Sequence, residues 1–239
     1  MKKILLLACT LLSLKSFAIW ETIKGNGIMK TETRNASGYT GVHLQGSMNV
    51  VLHYGTSNAI RVEADENLLP YIETVVEKGN LVVRTRNKVN LKSNSKLIVH
   101  ATLTKVTSLV LSGSGNLSGD GAFSNTGRTE IRLSGSGNMN LDADSFEEID
   151  VAISGSGNVR VKGNNSNNIT AAISGSGNID CMEFRTNDVF AKVSGSGQIK
   201  VYANSSIDAK VSGSGNIYYK GSATKLNMKS SGTGKIIKA

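Results

Sequence analysis

The sequence SGSGN fills residues 112–116, and it returns with its first serine at positions 134, 154, 174 and 212. A variant, SGSGQ, begins at Ser194, and a degenerate copy, SGTGK, begins at Ser231. The intervals between successive copies are 22, 20, 20, 20, 18 and 19 residues. A flexible linker of glycine and serine needs no fixed spacing, whereas self-similarity at such a period is typical of stacked-repeat proteins. The motif therefore predicts a repeating structural unit of about 20 residues.

Apolar and polar residues alternate on both sides of each motif, and the alternation continues through it. In the third copy, one parity holds only apolar residues and glycine: Ile149, Val151, Ile153, Gly155, Gly157, Val159 and Val161. A period of two is the pattern of a β-strand, so each repeat is extended rather than helical. The parity predicts that both glycines of a motif face inward, where a strand bends or crosses a narrow interior.

The same structural role is expected for the paired glycines of every complete motif. They are Gly113, Gly115, Gly135, Gly137, Gly155, Gly157, Gly175, Gly177, Gly195, Gly197, Gly213 and Gly215. Serine and asparagine would face outward and form ladders that hydrogen-bond between turns. Segments rich in Gly, Asn, Ser and Asp would close each coil as turns, at 120–127, 143–147, 163–168, 183–188 and 203–206. Short connections favour right-handed coiling, so we predict an all-β, right-handed parallel β-helix (a β-solenoid) with an N-terminal capping region.

Residues 1–18 have the pattern of a signal peptide. Two lysines precede an apolar run at 4–14, and small residues lead up to Ala18. We expect cleavage after Ala18, which would place the protein in the bacterial envelope or outside the cell. Lipidation at Cys9 is the alternative, and it would follow a very short apolar run.

The remaining chain divides into three predicted parts. Residues 19–38 form a lead-in, 39–106 a diverged rung with a hairpin and cap, and 107–239 the regular repeats. Within the second part, the sequence Lys-Gly-Asn at 78–80 separates two apolar runs and predicts the hairpin. Asp65 is a candidate N-cap for a short helical turn. A cap is expected because an open solenoid end exposes strand edges.

Composition and export restrict the possible functions. The formal charge is +9, and loss of the three lysines in residues 1–18 would leave +6. Cys181 would then be the single cysteine, so no intramolecular disulfide is expected. No later segment approaches the roughly 18 apolar residues that span a bilayer, so no transmembrane segment is expected. Export also argues against nucleic acid as a partner.

A basic segment is the candidate binding region. Residues 78–119 contain seven Lys or Arg and no Asp or Glu. The predicted binding residues are Arg84, Arg86, Lys88, Lys92 and Lys96. Acidic polysaccharide or another cell-surface ligand is the expected partner, and anionic lipid head groups are a further possibility. A solvated basic surface without a ligand is the alternative.

Catalytic and metal-binding chemistry is not indicated, and we assign no catalytic residue, metal or cofactor. The acidic residues of the repeat strands, Asp150, Asp180 and Asp208, do not recur from one repeat to the next. Calcium between turns would require a carboxylate in every repeat. The three histidines, His43, His53 and His100, are too few and too far apart in sequence to indicate a metal site.

The serial SGSGN motifs, together with GVHLQGS at 41–47 and EADENLL at 63–69, resemble the auto-transporter adhesin head GIN domain family, a former domain of unknown function. The resemblance covers residues 39–230. It implies a right-handed β-helix exported to the envelope, and it brings no catalytic or binding residues.

The resulting prediction is an exported, non-enzymatic envelope protein, an adhesin or surface-binding protein of a Gram-negative bacterium. A periplasmic structural or scaffold protein that self-associates is the alternative, and a polysaccharide-active enzyme is a less favoured one. The sequence leaves open whether the protein is periplasmic, secreted or on the cell surface.

Overall fold

The computed structural model describes residues 20–57 and 59–239. The predicted signal peptide and the alternative lipidation site at Cys9 lie outside the described residues. Within them, the chain forms 21 β-strands and a short 3-10 turn at Leu69–Tyr71. The strands are β1 Glu21–Lys24, β2 Met29–Asn35, β3 Gly41–Gly46, β4 Asn49–Tyr54, β5 Ala59–Asp65, β6 Ile72–Glu77, β7 Asn80–Thr85, β8 Val89–Lys92, β9 Ile98–Leu103, β10 Ser108–Gly113, β11 Asn116–Asp120, β12 Ser124–Gly135, β13 Asn138–Asp142, β14 Ser145–Gly155, β15 Asn158–Lys162, β16 Asn165–Gly175, β17 Asn178–Gly195, β18 Gln198–Gly213, β19 Asn216–Lys220, β20 Lys225–Gly232 and β21 Lys235–Lys238.

The strands stack in parallel, and the SGSG motifs of successive turns lie in register. β12 pairs with β14 and β14 with β16, so that Ser134 lies beside Ser154 and Ser154 beside Ser174. After the motif, β13 pairs with β15, with Asn138 beside Asn158. The stacking continues through β17 and β18 to β20 and β21. The structure therefore confirms the all-β parallel solenoid.

The first glycine of each motif forms the corner between the two strands of a turn. Gly155 has a φ of +127°, which is a conformation that residues with a side chain rarely adopt. Its carbonyl oxygen accepts hydrogen bonds from the N–H groups of Ser176 (2.9 Å) and Gly177 (3.1 Å) in the next turn. A Cβ on Gly175 would overlap this same oxygen. Glycine therefore allows two turns to stack at backbone contact.

The second glycine of each motif faces the interior. Gly157 is buried, and a Cβ there would lie 2.6 Å from Cδ2 of Leu133 and would overlap the Gly137 carbonyl oxygen. The parity of the sequence predicted that both glycines face inward. For Gly155 this is wrong, because it is only half-buried and its missing Cβ makes room for the neighbouring backbone rather than for the core.

Residues of the inward parity fill the solenoid. Val151, Ala171 and Ala191 lie in one column and are fully buried. Cys181 is 0% exposed and packs as a small apolar residue. Burial raises the pKa of its thiol to about 12, so the reactive thiolate form is suppressed.

The segments predicted as turns contain short strand pairs that give each turn a third side. Ser166, for example, lies beside Thr186 in parallel register, and both are buried. Phe146 and Phe184 point inward from these segments, and their parallel rings have centroids 6.1 Å apart. Sequence analysis missed this side because register shifts leave only one or two paired residues at a time, which are too few to show a period.

The predicted asparagine ladder is present along the solenoid. The Nδ2 group of each asparagine donates to Oδ1 of the one in the preceding turn, at 2.8–3.0 Å. The bonds run from Asn116 to Asn49, Asn138 to Asn116, Asn158 to Asn138 and Asn178 to Asn158. Gln198 occupies the next position of the column. The ladder satisfies exposed amides while it holds neighbouring turns in register.

The strands before residue 107 depart from the repeat. β3 and β4 form a first turn, which pairs with β10 and β11 on one side and with β7 and β9 on the other. β6 and β7 form the predicted hairpin, with Lys78 (φ 50°) and Gly79 (φ 77°) as its two-residue turn. β5 runs antiparallel to both β2 and β9, so the parallel pattern stops here.

Asp65 does not cap a helical turn, in contrast to the sequence-based expectation. The N-cap of the 3-10 turn is Leu68, and it makes no side-chain capping bond. The Asp65 carboxylate, which is buried, accepts hydrogen bonds from Ser93 Oγ, from Ser95 Oγ (3.3 Å) and from Gly27 N–H (2.8 Å). These donors satisfy the buried carboxylate and tie the N-terminal lead-in to the loop before β9.

The close packing around the second glycine of the motif predicts a strong difference between two alanine substitutions. Gly157→Ala should lower the free energy of unfolding by about 1–3 kcal/mol, because the new methyl group overlaps packed atoms. Gly127→Ala is the matched control: a Cβ there has no neighbour within 4 Å, and the change should stay within about 0.5 kcal/mol. Urea unfolding measures both, and equal effects would contradict the stacking argument.

Candidate functional site

A cleft of about 650 Å³ lies beside β7 and β8 at the N-terminal end of the solenoid. Its lining includes four of the five predicted binding residues: Arg84, Arg86, Lys88 and Lys96. Trp20 also lines it and is 59% exposed; the parallel pairing of β1 with β8 brings this residue to the cleft. Lys92 does not line the cleft, and its place in the register of β8 is beside Lys24.

The two arginines of the cleft are already engaged by protein groups. Arg84 forms ion pairs with Glu73 (2.9 Å) and Glu77 (3.1 Å), which lie across the hairpin on β6. Arg86 donates to the Pro70 carbonyl oxygen at 2.7 Å, and its guanidinium lies over the ring of Tyr71. The sequence count of cations therefore overstates the charge, because the hairpin brings carboxylates to the basic strand.

The lysines of the cleft are its available cations. In the part of the chain that the structure describes, no carboxylate forms an ion pair with Lys88 or Lys96. Lys88 has a φ of 62°, which fixes it in a left-handed bend next to β8. Ser93 and Ser95 line the cleft as well, and the buried carboxylate of Asp65 holds both hydroxyls. Sequence analysis missed this support because nothing in the sequence links Asp65 to residues 93–95.

One serine–histidine contact on the solenoid surface lacks the third group of a nucleophilic site. His43 Nε2 lies 3.2 Å from Ser112 Oγ, and the side-chain amide of Gln45 lies 3.5 Å from His43 Nδ1. No carboxylate of the described residues forms a hydrogen bond with His43, so no acidic group orients the imidazole toward the serine.

A pair of histidines that are distant in sequence meets on the outer surface of β4 and β9. His53 Nε2 lies 2.9 Å from His100 Nδ1, while the ring centroids are 5.2 Å apart, so the rings meet end to end. The other nitrogen of His100 is 3.4 Å from a carboxylate oxygen of Glu63. Facing nitrogens share a proton in this arrangement and do not converge on a metal ion. Among residues 20–57 and 59–239, no group of three or more His, Cys, Asp or Glu side chains is arranged to hold one.

Acidification should destabilise the protein in part through His100. Burial, followed by the charge of Arg61, lowers the pKa of His100 below its ordinary value of 6.5. Below about pH 6.5 the unfolded chain binds the proton more readily, so stability falls as the pH drops toward the lowered folded pKa. His100→Asn should lose less stability than the wild type between about pH 7.5 and pH 5 in urea unfolding. An identical pH dependence would contradict this assignment; burial also lowers the pKa of His43, so a smaller slope should remain.

Solved structures of similar fold come from Bacteroides and Parabacteroides species. A putative adhesin from Bacteroides fragilis NCTC 9343 matches with a TM-score of 0.84 at 23% identity, covering 90% of this chain and 98% of that one. A putative lipid binding protein from Parabacteroides distasonis ATCC 8503 matches with a TM-score of 0.70 at 24% identity, covering 92% and 100%. A putative adhesin from Parabacteroides merdae ATCC 43184 matches with a TM-score of 0.68 at 22% identity, covering 91% and 100%. At these identities the similarity establishes the fold.

No curated protein matches the sequence. Within the described residues, no helix has the length and apolar character needed to cross a bilayer. Residues 38–223, which run from just before β3 to just after β19, match one family model. The chain therefore belongs to the family described as "Putative auto-transporter adhesin, head GIN domain".

Proposed function

We propose that this protein is an exported, non-enzymatic adhesin of the bacterial envelope that binds acidic polysaccharide in the N-terminal cleft. The observation that carries the proposal is the meeting of Trp20, Lys88 and Lys96 around one cavity of about 650 Å³. A cavity of this size accommodates a small ligand. An exposed indole offers a flat apolar surface to a sugar ring, and the lysines offer ammonium groups to its carboxylates.

Binding rather than catalysis is supported by the chemistry of the available side chains. No carboxylate of the described residues forms a hydrogen bond with His43 beside Ser112, and the thiol of Cys181 is buried with a raised pKa. Asp150 and Asp208 share one column of the repeats, but Thr170 and Phe190 lie between them. The two carboxylates therefore cannot act together on one glycosidic bond, which would require them on either side of it.

The cleft can be tested with two lysine substitutions and a matched pair elsewhere. Lys88→Asn with Lys96→Gln should weaken binding of residues 20–239 to polygalacturonate roughly fivefold, because two exposed ion pairs are together worth about 1 kcal/mol. Asparagine is chosen at position 88 because it tolerates the left-handed φ. Lys225→Gln with Lys229→Gln changes the charge equally on the exposed strand β20 and should leave binding unchanged.

Titration calorimetry at low and high salt provides the measurement. Affinity for the wild type should fall with added salt, since exposed charge pairs are screened. An equal loss in both lysine pairs would indicate a general effect of net charge and would contradict the cleft.

Surface display is the second element of the proposal and has its own test. Protease treatment of intact cells should remove the protein if it acts as an adhesin. Protection until the outer membrane is opened would contradict display and would favour the periplasmic scaffold, whose self-association sedimentation would then detect.

A further inference from the structure

A groove crosses the outer face of the solenoid on β12, β14, β16 and β17, and it shares no lining residue with the N-terminal cleft. Its two neighbouring halves have volumes of about 520 and 410 Å³. The first half is centred on Ala152 and Ala172. The second contains Thr170 and Phe190, but Glu148, Asp150 and Asp188 line it as well, so this half is acidic. From residue 168 to residue 174 the floor extends about 20 Å along the strands.

The groove exists because one outward column changes from long to short side chains and back. Arg132, Ala152, Ala172 and Lys192 occupy equivalent positions in four consecutive turns. The two methyl groups form the floor, and the long side chains form walls whose backbones are about 14 Å apart. Ser154 and Ser174 follow the floor residues by two positions, and their exposed hydroxyls form one edge.

An aromatic ring limits the second half of the groove. Phe190 lies beside Thr170 of the preceding turn and is half-buried. The ammonium of Lys210 lies 5.0 Å from the ring centroid. Lys210 belongs to the next turn, so it covers the side of the ring that faces the C-terminal end. The opposite side faces Thr170 of the preceding turn.

The wall on the other side of the groove is held rigid by a buried carboxylate. Asp150 accepts hydrogen bonds from two nitrogens of Arg132, at 2.9 and 2.7 Å, and from Arg128. Burial alone would raise the pKa of Asp150, but the hydrogen bonds from Arg132 and Arg128 hold it below the usual value. The carboxylate therefore stays charged and neutralises this wall.

Lys192 is consequently the cation that remains available to a ligand. Within the described chain it forms no ion pair, and the lining of the alanine half includes Arg132 and Lys192 but no Asp or Glu. A ligand in this half meets methyl groups below, serine hydroxyls along one edge and an ammonium at the wall. This combination is complementary to a sugar ring that carries a carboxylate.

We propose that this groove is a second glycan-binding site, which takes a hexuronic acid residue of a linear oligosaccharide. The apolar face of the sugar ring lies on Ala152 and Ala172, its hydroxyls bond to Ser154 and Ser174, and its carboxylate pairs with Lys192. The rest of the chain continues away from the Phe190 half, because the carboxylates of Glu148 and Asp188 there would repel another uronate ring. The ligand class rests on the proposed function, but the site is independent of the N-terminal cleft.

Filling the groove with a lysine separates this proposal from simple charge attraction. The column already carries Arg132 and Lys192, so Ala172→Lys should fold normally. It adds a positive charge while it blocks the floor, and we expect trigalacturonate to bind about tenfold more weakly to it in calorimetry. Lys192→Gln should weaken binding to a similar extent, because a charged hydrogen-bond partner is lost. Asn140→Lys adds the same charge on exposed β13 and should have no such effect.

The outcomes of this experiment are distinct. Unchanged or tighter binding by Ala172→Lys would overturn the groove, since added charge alone would then govern affinity. Equal binding of neutral galactotriose would overturn the role of Lys192. Amide NMR shifts on adding trigalacturonate locate the site: shifts at residues 170–174 and 190–194 support the groove. Shifts confined to residues 84–97 would overturn the groove while leaving the cleft intact, and shifts confined to the groove would overturn the cleft instead.

Discussion

The carbonyl oxygen of a corner glycine accepts two consecutive N–H groups from the turn above, and the rest of the solenoid depends on this contact. In the centre of the molecule, Gly155 receives bonds from Ser176 and Gly177. The contact requires the backbones of two turns to touch, and a side chain on the upper glycine would prevent it. It also fixes how one turn rotates relative to the next. The core columns and the outward columns then follow from in-register stacking, because each strand leaves the corner in the same direction.

In-register stacking places equivalent residues of successive turns side by side, so the outer surface consists of columns of such residues. Differences between residues within one column create the ladders and grooves of the surface. A column of asparagines forms a continuous amide ladder, which locks turns without offering a concave site. A column that runs from Arg132 through two alanines to Lys192 forms a groove between an arginine wall, which Asp150 neutralises, and the ammonium of Lys192. The backbone is nearly identical in both places. The chemistry of the surface is thus set by residues that the fold itself does not need.

The N-terminal cleft has a different origin, since it arises where the repeat stops. Antiparallel strands, a hairpin and the bonds of Asp65 bring together Trp20 and the basic loop from parts of the chain that are far apart. Such a site lacks the regular spacing of the columns, and its volume of about 650 Å³ exceeds that of either half of the groove. The cleft is therefore formed by the irregular N-terminal strands, whereas the groove is formed by the repeat itself. A long polymer that contacts both would bind one molecule at two places. Contact at two places would raise the overall affinity above that of either site.

The sequence by itself determined the repeat, the extended conformation and the apolar interior, because spacing and alternation are local properties. It also determined the hairpin at Lys78 and Gly79, whose turn chemistry lies within a few residues. It could not assign different roles to the two glycines of a motif. The alternation of inward and outward residues does not reveal that the first glycine forms a corner at positive φ. The third side of each turn, which holds Phe146 and Phe184, was not predicted because its paired stretches are too short to show a period.

Only the tertiary structure decided which side chains meet. Arg84 is an unpaired cation by sequence, but in the structure it forms ion pairs with Glu73 and Glu77. His53 contacts His100 although 47 positions separate them in the chain. The groove beside Lys192 was equally hidden, because its residues recur at the repeat spacing and look like ordinary outward positions in any single turn. Contacts between turns depend on register, which stacking sets through the corner glycines. The sequence therefore determined the rung, and the stacking of rungs decided the sites.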